Sequence, residues 1–312
     1  MKKNCWQKLN KPILALAPMA GITDSSFRLM CKKHGADIVY TEMVSAAGIC
    51  YGGAKTLSYL NFNKKEQPVI LQLFGSDPNQ FAKAAKTVEQ AGFAGIDINF
   101  GCPAKKVISN ESGATLMDHL DKAYDIIKAT CNATDIPVSI KMRNSKGKTT
   151  AFDLVNKVKD LPIAAIMIHG RSFEQAFAGD ASWEQVKKVR TIYDGILLAN
   201  GGIYSPIQAR EIVSELDIDG LGLAQGVQGK PWLFSQIKSI LRKDKYQELD
   251  WTQIKKIILD HAKLAMKDKN NLIEMRKHLL WYVKSQPNAK ELRRDLVTIE
   301  TLDDIKTILK NN

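Results

Sequence analysis

The chain has 312 residues, of which 45% are hydrophobic, so it can form one barrel domain and a small second domain and is too apolar for a disordered protein. Its formal net charge of +12 and pI of about 9.3 favour polyanionic partners, since Lys and Arg displace counterions from phosphates. A solvated basic surface is the alternative explanation of this charge.

The chain has five cysteines, at positions 5, 31, 50, 102 and 131, and their number and spacing indicate whether disulfides or zinc stabilise the fold. Their number is odd and no CxxC pair occurs, which argues against a disulfide framework and against a zinc site. We therefore expect a cytoplasmic protein without a structural metal. No stretch approaches the roughly 20 apolar residues of a membrane span, so no membrane partner is expected.

Eight short apolar runs alternate with amphipathic segments along the first 240 residues. The runs cover residues 13–18, 36–42, 68–74, 95–101, 137–143, 164–170, 195–202 and 219–226. They are nearly continuous, as expected for parallel strands buried on both faces. Between them, Asp24 opens a helix that closes near Gly35, and Asp77 caps a helix that begins at Pro78 and runs to Gly92. Eight such units predict the α/β class and a closed (β/α)₈ TIM barrel.

The strand pattern stops after about Leu241, and residues 251–312 have apolar positions at helical spacing, which predicts three or four helices. Residues 241–312 hold 16 Lys and Arg against 11 Asp and Glu, a net charge of +5, while the other 240 residues carry +7. We predict a catalytic barrel over residues 1–240 and a small all-helical, nucleic-acid-binding domain over residues 241–312.

Polar residues occupy the ends of seven of the eight predicted strands, where the active site of a barrel lies. All eight strand ends, the first of which has no polar side chain, are predicted to line one pocket: Pro18-Met19-Ala20-Gly21, Thr41-Glu42-Met43, Gln72 in the third strand, Asn99-Phe100-Gly101-Cys102-Pro103, Lys141-Met142-Arg143, His169-Gly170-Arg171, Asn200-Gly201-Gly202 and Ala224-Gln225-Gly226. Packing alone does not explain so many polar groups, because an unpaired buried polar group is costly.

The residue types suggest a phosphorylated flavin as the ligand of this pocket. Asn200, Gly201, Gly202 and the backbone around Ala224 follow strands seven and eight, where barrels bind phosphate, although a Gly-Gly pair is also typical of an ordinary turn. Lys141 can hold negative charge on a reduced flavin, or it is simply an exposed lysine at a strand end. Gln72 and His169 can hydrogen-bond the polar edge of a flavin or of its substrate.

Cys102 is the candidate reactive residue. It lies between Gly101 and Pro103 just after a strand, in a turn that can present the thiol to the pocket as a nucleophile or a proton donor. Free cysteines are more often small buried hydrophobic residues, which is how we interpret Cys31 and Cys131.

These motifs resemble the tRNA-dihydrouridine synthase family, most closely its bacterial B-type branch. The resemblance covers residues 12–310 and depends above all on DINFGCP followed by IHGRS. The other strings occur in the family's order and are LAPMAGITDSSFR, TEMVSA, QLFGSDP, SGATLM, PVSIKMR, LLANGGI, QGKPWLF, MRKHLLWY and ELRRDL.

The resemblance implies an FMN-dependent, NADPH-reduced enzyme that acts, as a monomer, on a uridine of the tRNA D-loop. Hydride would pass from flavin N5 to uracil C6, and Cys102 would donate the proton to C5. The residues implied to bind FMN are Pro18, Met19, Ala20, Gln72, Lys141, His169, Asn200, Gly201, Gly202, Ala224 and Gln225. The residues expected to bind the tRNA are Asn99, Arg143, Arg171, Arg276, Lys277, Arg293 and Arg294.

Two departures from the family pattern leave alternatives open. The family commonly has Gly-Arg where this chain has Ala224-Gln225, and Asn-Gly-Asp where it has Asn200-Gly201-Gly202, so a guanidinium that can bind phosphate is missing. One alternative is a flavin barrel enzyme that acts on a free pyrimidine, such as a dihydroorotate or dihydropyrimidine dehydrogenase. The other is a non-catalytic tRNA-binding chaperone.

Overall fold

The computed structural model of the protein describes residues 4–311, and eight parallel strands in it close into a barrel. The predicted TIM barrel is thus confirmed, and each strand lies at one of the eight apolar runs. The barrel strands are β1 (Ile13–Leu16), β2 (Ile38–Ser45), β3 (Val69–Phe74), β4 (Gly95–Phe100), β5 (Val138–Arg143), β8 (Ile163–His169), β9 (Ile196–Asn200) and β10 (Gly220–Leu223). Around the barrel the order is β1, β10, β9, β8, β5, β4, β3, β2. A small antiparallel ribbon, β6 (Ser145–Lys146) and β7 (Thr149–Thr150), follows the fifth barrel strand.

Helices follow the strands and cover the outside of the barrel. The barrel helices are α1 (Ser25–Lys33), α2 (Ala46–Cys50), α3 (Ala54–Ser58), α4 (Pro78–Gln90), α5 (Lys105–Ile108), α6 (Leu120–Ala133), α7 (Ala151–Val158), α8 (Glu184–Arg190), α9 (Pro206–Glu215) and α10 (Leu233–Lys243). Short 3₁₀ turns occur at Cys5–Lys8, Lys64–Glu66, Gly113–Asp118 and Gln225–Val227. Among residues 4–311, no helix is both long and apolar enough to cross a membrane.

The two helix starts predicted from capping residues are confirmed. The Asp24 carboxylate accepts a hydrogen bond from the backbone N–H of Phe27, and Asp77 accepts from the N–H groups of Asn79 and Gln80. In both cases the carboxylate satisfies N–H groups that the first turn of a helix leaves without a partner.

Four helices with a hydrophobic core of their own follow the barrel, as predicted. They are α11 (Trp251–Lys269), α12 (Met275–Tyr282), α13 (Ala289–Leu296) and α14 (Leu302–Lys310). Their core contains residues such as Ile258, Leu279 and Leu296. The preceding helix α10 runs across the predicted boundary at residue 240, and its apolar face, with Phe234 and Ile237, belongs to the barrel core.

Two buried histidines join the helical domain to the barrel. The Nε2 atom of His261 lies 3.3 Å from the hydroxyl of Ser26, and its Nδ1 atom lies 3.1 Å from the hydroxyl of Tyr282. His278 packs its ring 4.8 Å from the rings of both His261 and Phe27, and neither of its ring nitrogens has a hydrogen-bond partner among the described residues. Ser26 and Phe27 lie on α1, so these contacts fix the helical domain against the barrel.

Burial keeps both histidines neutral at pH 7. It lowers the pKa of His261 to about 4 and lowers that of His278 well below its ordinary value, because the charged imidazolium loses its hydration. The nearby charged groups are the Asp24 carboxylate and, 3.4 Å from it, the Lys269 ammonium. Protonation of either ring therefore opposes the packing of the two domains.

We expect the free energy of unfolding to fall as the pH is lowered from about 6.5 to about 4. In this range the unfolded state binds a proton on His261 and the folded state does not, so each unit of pH costs up to about 1.4 kcal/mol for this one group. Urea unfolding of wild type and of His261→Gln at several pH values measures the effect. The variant should show a shallower dependence, since it lacks the titrating ring.

The exposed His119 provides the control for this comparison. His119→Gln should follow the wild-type pH profile. Equal slopes for wild type and His261→Gln would show that His261 does not contribute to the acid sensitivity.

Candidate active site

One cavity of about 320 Å³ lies at the carboxyl ends of the barrel strands. It is lined by fifteen of the residues predicted to bind cofactor or substrate, which seven of the eight strands or the loops after them contribute, and by Met43 of β2. The fifteen are Pro18, Met19, Ala20, Gln72, Asn99, Cys102, Lys141, Arg143, His169, Arg171, Asn200, Gly201, Gly202, Ala224 and Gln225. The four basic residues predicted in the helical domain do not line it.

A chain of hydrogen bonds runs through the cavity floor from a buried carboxylate to the Cys102 turn. Asp97, fully buried on β4, accepts from Gln72 Nε2 at 2.7 Å and from the Ser139 hydroxyl at 2.6 Å. Gln72 Oε1 accepts from Asn99 Nδ2 at 2.8 Å. Asn99 Oδ1 in turn accepts from the backbone N–H of Cys102 at 2.9 Å and of Gly101 at 3.0 Å.

The direction of this chain follows from the chemistry of its first member. A carboxylate only accepts hydrogen bonds, so it turns the amide nitrogen of Gln72 towards itself and leaves the oxygen for Asn99. Burial raises the pKa of Asp97 to about 6, and the carboxylate remains the main form at pH 7. Asp97 therefore sets the orientation of two amide side chains and, through them, of the Cys102 turn.

The Cys102 side chain is a protonated thiol at neutral pH. Burial raises its pKa above the ordinary value, and the opposing effects of the Ala104 N–H, Lys141 and Arg143 are smaller. Attack as a nucleophile requires a thiolate, whereas proton donation requires the thiol. The site therefore favours donation of a proton over nucleophilic attack.

Lys141 and His169 present polar atoms without a protein partner to the cavity. Burial, and then the charge of Arg143, lowers the pKa of Lys141 to about 8, so it is still an ammonium at pH 7. Burial and the neighbouring Lys141 lower the pKa of His169 to about 2, so its ring is neutral. Within residues 4–311 no hydrogen bond to the Lys141 ammonium or to the His169 ring is present. Both groups are available to a ligand that carries acceptors, and a neutral imidazole also accepts.

The rim after β9 has glycine where a side chain does not fit. Gly201 has a φ of +99°, and a Cβ atom there would lie 2.3 Å from the His169 ring. Gly202 has a φ of +70°, and a Cβ atom on it would lie 3.8 Å from Nη2 of Arg171. The backbone therefore approaches the cavity closely beside an arginine, which suits an anionic group.

The side chains of Asn200 and Gln225, which lie at this rim, form hydrogen bonds with other residues of the protein. Asn200 donates from Nδ2 to the Gly222 carbonyl at 2.7 Å, and Gln225 Oε1 accepts from the Tyr204 hydroxyl at 3.0 Å. Arg171 uses Nε for the Gly179 carbonyl at 2.8 Å and keeps its Nη atoms towards Gly202. Arg171 thus offers a guanidinium beside Gly202, in the same cavity that Gln225 lines.

The Arg143 guanidinium donates its hydrogen bonds to backbone carbonyls. Its Nε donates to Gly101 at 3.1 Å, and its Nη1 donates to Ser172 at 2.9 Å and to Ala176 at 2.6 Å. It therefore connects the Cys102 turn with the loop after β8. The sequence placed this residue among the groups that contact the tRNA, whereas its observed bonds hold the two loops in place.

The four basic residues of the helical domain differ in their surroundings. Arg276 donates from Nε and Nη2 to the Ile299 carbonyl, at 3.0 and 2.9 Å. Lys277 lies 3.8 Å from a Glu274 carboxylate oxygen, and Arg294, which is largely exposed, pairs with Asp295. Arg293 is half-buried on α13. Arg276 is thus engaged with the domain itself.

The sequence reasoning did not single out Asp97 or Phe177. The signal for Asp97 was a carboxylate in the middle of an apolar strand, where an acidic residue needs buried partners. The signal for Phe177 was weaker, because a single aromatic residue in a loop is ordinary; its significance comes only from its place at the cavity.

A closed parallel barrel with polar groups, a glycine rim and an ammonium without a hydrogen-bond partner at its strand ends belongs to the class of barrels whose cavity suits an anionic ligand. A profile of the dihydrouridine synthase (Dus) family matches residues 15–311. The chain belongs to this family, as the resemblance predicted.

Relatives agree with this placement, and a solved structure shares the fold. The chain is 32% identical to tRNA-dihydrouridine synthase B of Vibrio cholerae over 97% of its own length and 95% of the relative's. It is 33% identical to a probable tRNA-dihydrouridine synthase of Rickettsia bellii, over 90% of this chain and 88% of the relative. An old yellow enzyme homologue from Zymomonas mobilis has the same fold, with a TM-score of 0.54 at 12% identity over 75% of this chain and 90% of that one.

We expect Asp97→Asn to lower kcat/KM for dihydrouridine formation roughly 10- to 100-fold, because small displacements of reacting groups cost about that much. The new amide can present either an acceptor or a donor to Gln72, so it no longer enforces the single orientation of Gln72 and Asn99, and the acceptor of the Cys102 N–H is no longer held in one position. Steady-state kinetics, with thermal melting to verify folding, provide the measurement.

Ser139→Ala is the matched control, since it removes a different hydrogen bond to the same carboxylate and leaves the Gln72 orientation unchanged. It should lose much less activity than Asp97→Asn. Near-normal kinetics in a folded Asp97→Asn protein would mean that the chain of hydrogen bonds does not position the Cys102 turn.

Proposed function

We propose that the protein is a tRNA-dihydrouridine synthase that uses FMN and NADPH to reduce the C5–C6 double bond of a D-loop uridine. The main support for this proposal is that three side chains line one cavity with the glycine rim. They are the protonated thiol of Cys102, the Lys141 ammonium without a hydrogen-bond partner, and the neutral imidazole of His169. These are the groups that a flavin and a uracil together require.

The residues present fit a flavin with a single phosphate. Lys141 and His169 offer unpaired polar atoms for the ring system, and Gln72 lies beside them on the cavity floor. The phosphate would be held by the backbone at Gly201, Gly202, Ala224 and Gln225 with the Nη atoms of Arg171. No GxGxxG fingerprint for a dinucleotide is present in the sequence, which favours FMN over FAD.

The hydride for carbon 6 of the uracil would come from a flavin held in this cavity and reduced by NADPH. Cys102 donates the proton to carbon 5, for which its raised pKa keeps the thiol protonated. Asn99 fixes the Cys102 turn through two backbone N–H groups, and Lys141 stabilises negative charge in the cavity. The target base leaves the tRNA stack to reach this depth, as in other enzymes that act on a base.

The helical domain contributes part of the binding affinity for the tRNA. Its net charge of +5 within 72 residues exceeds the average density of the barrel, and phosphate contacts position RNA without reading its sequence. Lys277, Arg293 and Arg294 are the candidate contacts, whereas Arg276 is occupied by the Ile299 carbonyl. We expect the protein to act as a monomer.

Replacing Cys102 by Ala should leave NADPH-driven flavin reduction intact and slow tRNA reduction by about 10² to 10⁴-fold, the range expected for the loss of a general acid. Flavin reduction needs no proton from this side chain, whereas the uracil carbon does. Anaerobic stopped-flow absorbance measures the first step, and quantification of dihydrouridine in unmodified tRNA measures the second.

Cys50→Ala is the matched control, because Cys50 lies at the end of α2 and does not line the cavity. It should behave as wild type in both steps. Normal tRNA turnover by Cys102→Ala would show that the thiol is structural, and absence of dihydrouridine with wild type would refute the proposed function itself.

Substituting Lys277, Arg293 and Arg294 together by Ala should weaken tRNA binding and flatten its dependence on log[salt] by about one unit per lost phosphate contact. Flavin content and NADPH oxidation should not change, since these residues lie outside the cavity. Binding isotherms at several salt concentrations give both values.

A second triple variant, with Ala at Lys83, Lys86 and Lys128, removes the same number of positive charges, here from exposed positions on the barrel helices. It should keep the wild-type salt slope. If both variants lose the same affinity, general charge attraction rather than a specific helical-domain surface holds the tRNA.

A further inference from the structure

Phe177 is an exposed aromatic residue at the edge of the active-site cavity. Its side chain is 57% exposed, although a phenylalanine normally buries its ring. It lines the cavity together with Cys102, Lys141 and His169, and its ring centroid lies 6.5 Å from that of His169. An exposed apolar ring beside a site for a large ligand indicates a contact with that ligand.

The loop that carries Phe177 is held by many hydrogen bonds. The carbonyls of Ser172 and Ala176 accept from Arg143, and that of Gly179 accepts from Arg171. Within the loop, the Gln175 side chain accepts from the Ser172 N–H at 2.9 Å. Two buried arginines thus donate hydrogen bonds to the backbone of one short surface loop, and an ordinary loop does not need this support.

The backbone immediately before Phe177 is strained. Ala176 has a φ of +50°, a region that residues other than glycine rarely adopt. Such a conformation persists only where its surroundings enforce it, and here the 2.6 Å hydrogen bond from Arg143 to the Ala176 carbonyl does so. The strain and the arginine together fix where the next side chain points.

The Phe177 ring is in contact with a cation, and more than half of its surface stays exposed. The guanidinium carbon of Arg143 lies 5.5 Å from the ring centroid, within the range of a cation–π contact. The same guanidinium contacts the Gly101 carbonyl beside Cys102. Arg143 therefore sets the position of the ring relative to the proton donor.

We infer that Phe177 is a stacking platform for a nucleobase of the tRNA, positioned by Arg143 and by the strained Ala176. This inference rests on the proposed function and deepens it. A rigid, exposed ring next to a cationic cavity is the combination that single-stranded nucleic acid requires, because every base has a π-face and aromatic side chains stack on it. The base is either the extruded uracil or its neighbour in the loop.

The test compares Phe177→Ala, Phe177→Leu, Phe177→Tyr and Phe177→Trp with wild type in tRNA binding and steady-state kinetics. Ala and Leu should both raise the Kd for tRNA about tenfold, since neither offers a flat ring. Tyr and Trp should stay within about twofold of wild type. The Leu variant keeps apolar bulk, so a loss shared by Ala and Leu reports the ring and not the filling of space.

A tRNA with an abasic site at the uridine that wild type reduces distinguishes the two sources of the base. If the target uracil stacks on Phe177, the difference between wild type and Phe177→Ala disappears on this RNA. If the neighbouring base stacks there, the difference remains. Both results support a nucleobase subsite at Phe177.

Phe173→Ala is the control, because Phe173 lies in the same loop, contacts Lys146 and does not line the cavity. It should leave the Kd for tRNA within about twofold of wild type. The inference is overturned if Phe173→Ala loses as much affinity as Phe177→Ala, if Phe177→Ala binds tRNA normally, or if its defect is confined to the KM for NADPH. Wild-type dihydrouridine formation is measured separately, so a failure of the proposed function is recognised independently.

Discussion

The active site depends on one buried carboxylate. Asp97 lies inside the barrel with no exposure to solvent, and its two observed hydrogen bonds come from Gln72 and Ser139. Because it only accepts, it gives the adjoining amides a single orientation, which ends at the backbone of the Cys102 turn. An apolar residue at this place would pack equally well but would leave Gln72 free to turn over, and the position of the thiol would then be less defined.

Desolvation also determines the protonation states of the cavity. The barrel buries Cys102, Lys141 and His169 close together, and burial disfavours the charged form of each. The thiol therefore keeps its proton and the imidazole stays neutral. The ammonium keeps its charge because the pKa of Lys141, although lowered to about 8, remains above neutral pH. Desolvation thus keeps the thiol protonated, while the ammonium retains its positive charge in spite of the same effect.

The sequence was sufficient for the barrel, the four terminal helices and the residues at the strand ends, but not for the hydrogen bonds between them. Continuous apolar runs and capping residues are local signals, and parallel strands necessarily bring their carboxyl ends together. Where Arg143 directs its guanidinium is a tertiary property: its acceptors are Gly101, Ser172 and Ala176, up to 42 residues away in the chain. The buried contacts of His261 and His278 with α1 were missed for the same reason.

Arg143 connects the two sides of the cavity, and this connection has a consequence for how substrate and proton donor meet. Its guanidinium binds the Gly101 carbonyl on one side and the Ala176 carbonyl on the other, while its charged face lies against Phe177. A displacement of the Phe177 ring is therefore transmitted to the turn that carries Cys102 through one rigid, planar group. A lysine could not maintain these contacts together, because its ammonium is a single point of charge without the geometry of a fork. In the proposed reaction, Arg143 thus links the position of a base on Phe177 with the position of the Cys102 thiol, which would couple binding of the RNA to alignment of the proposed proton donor.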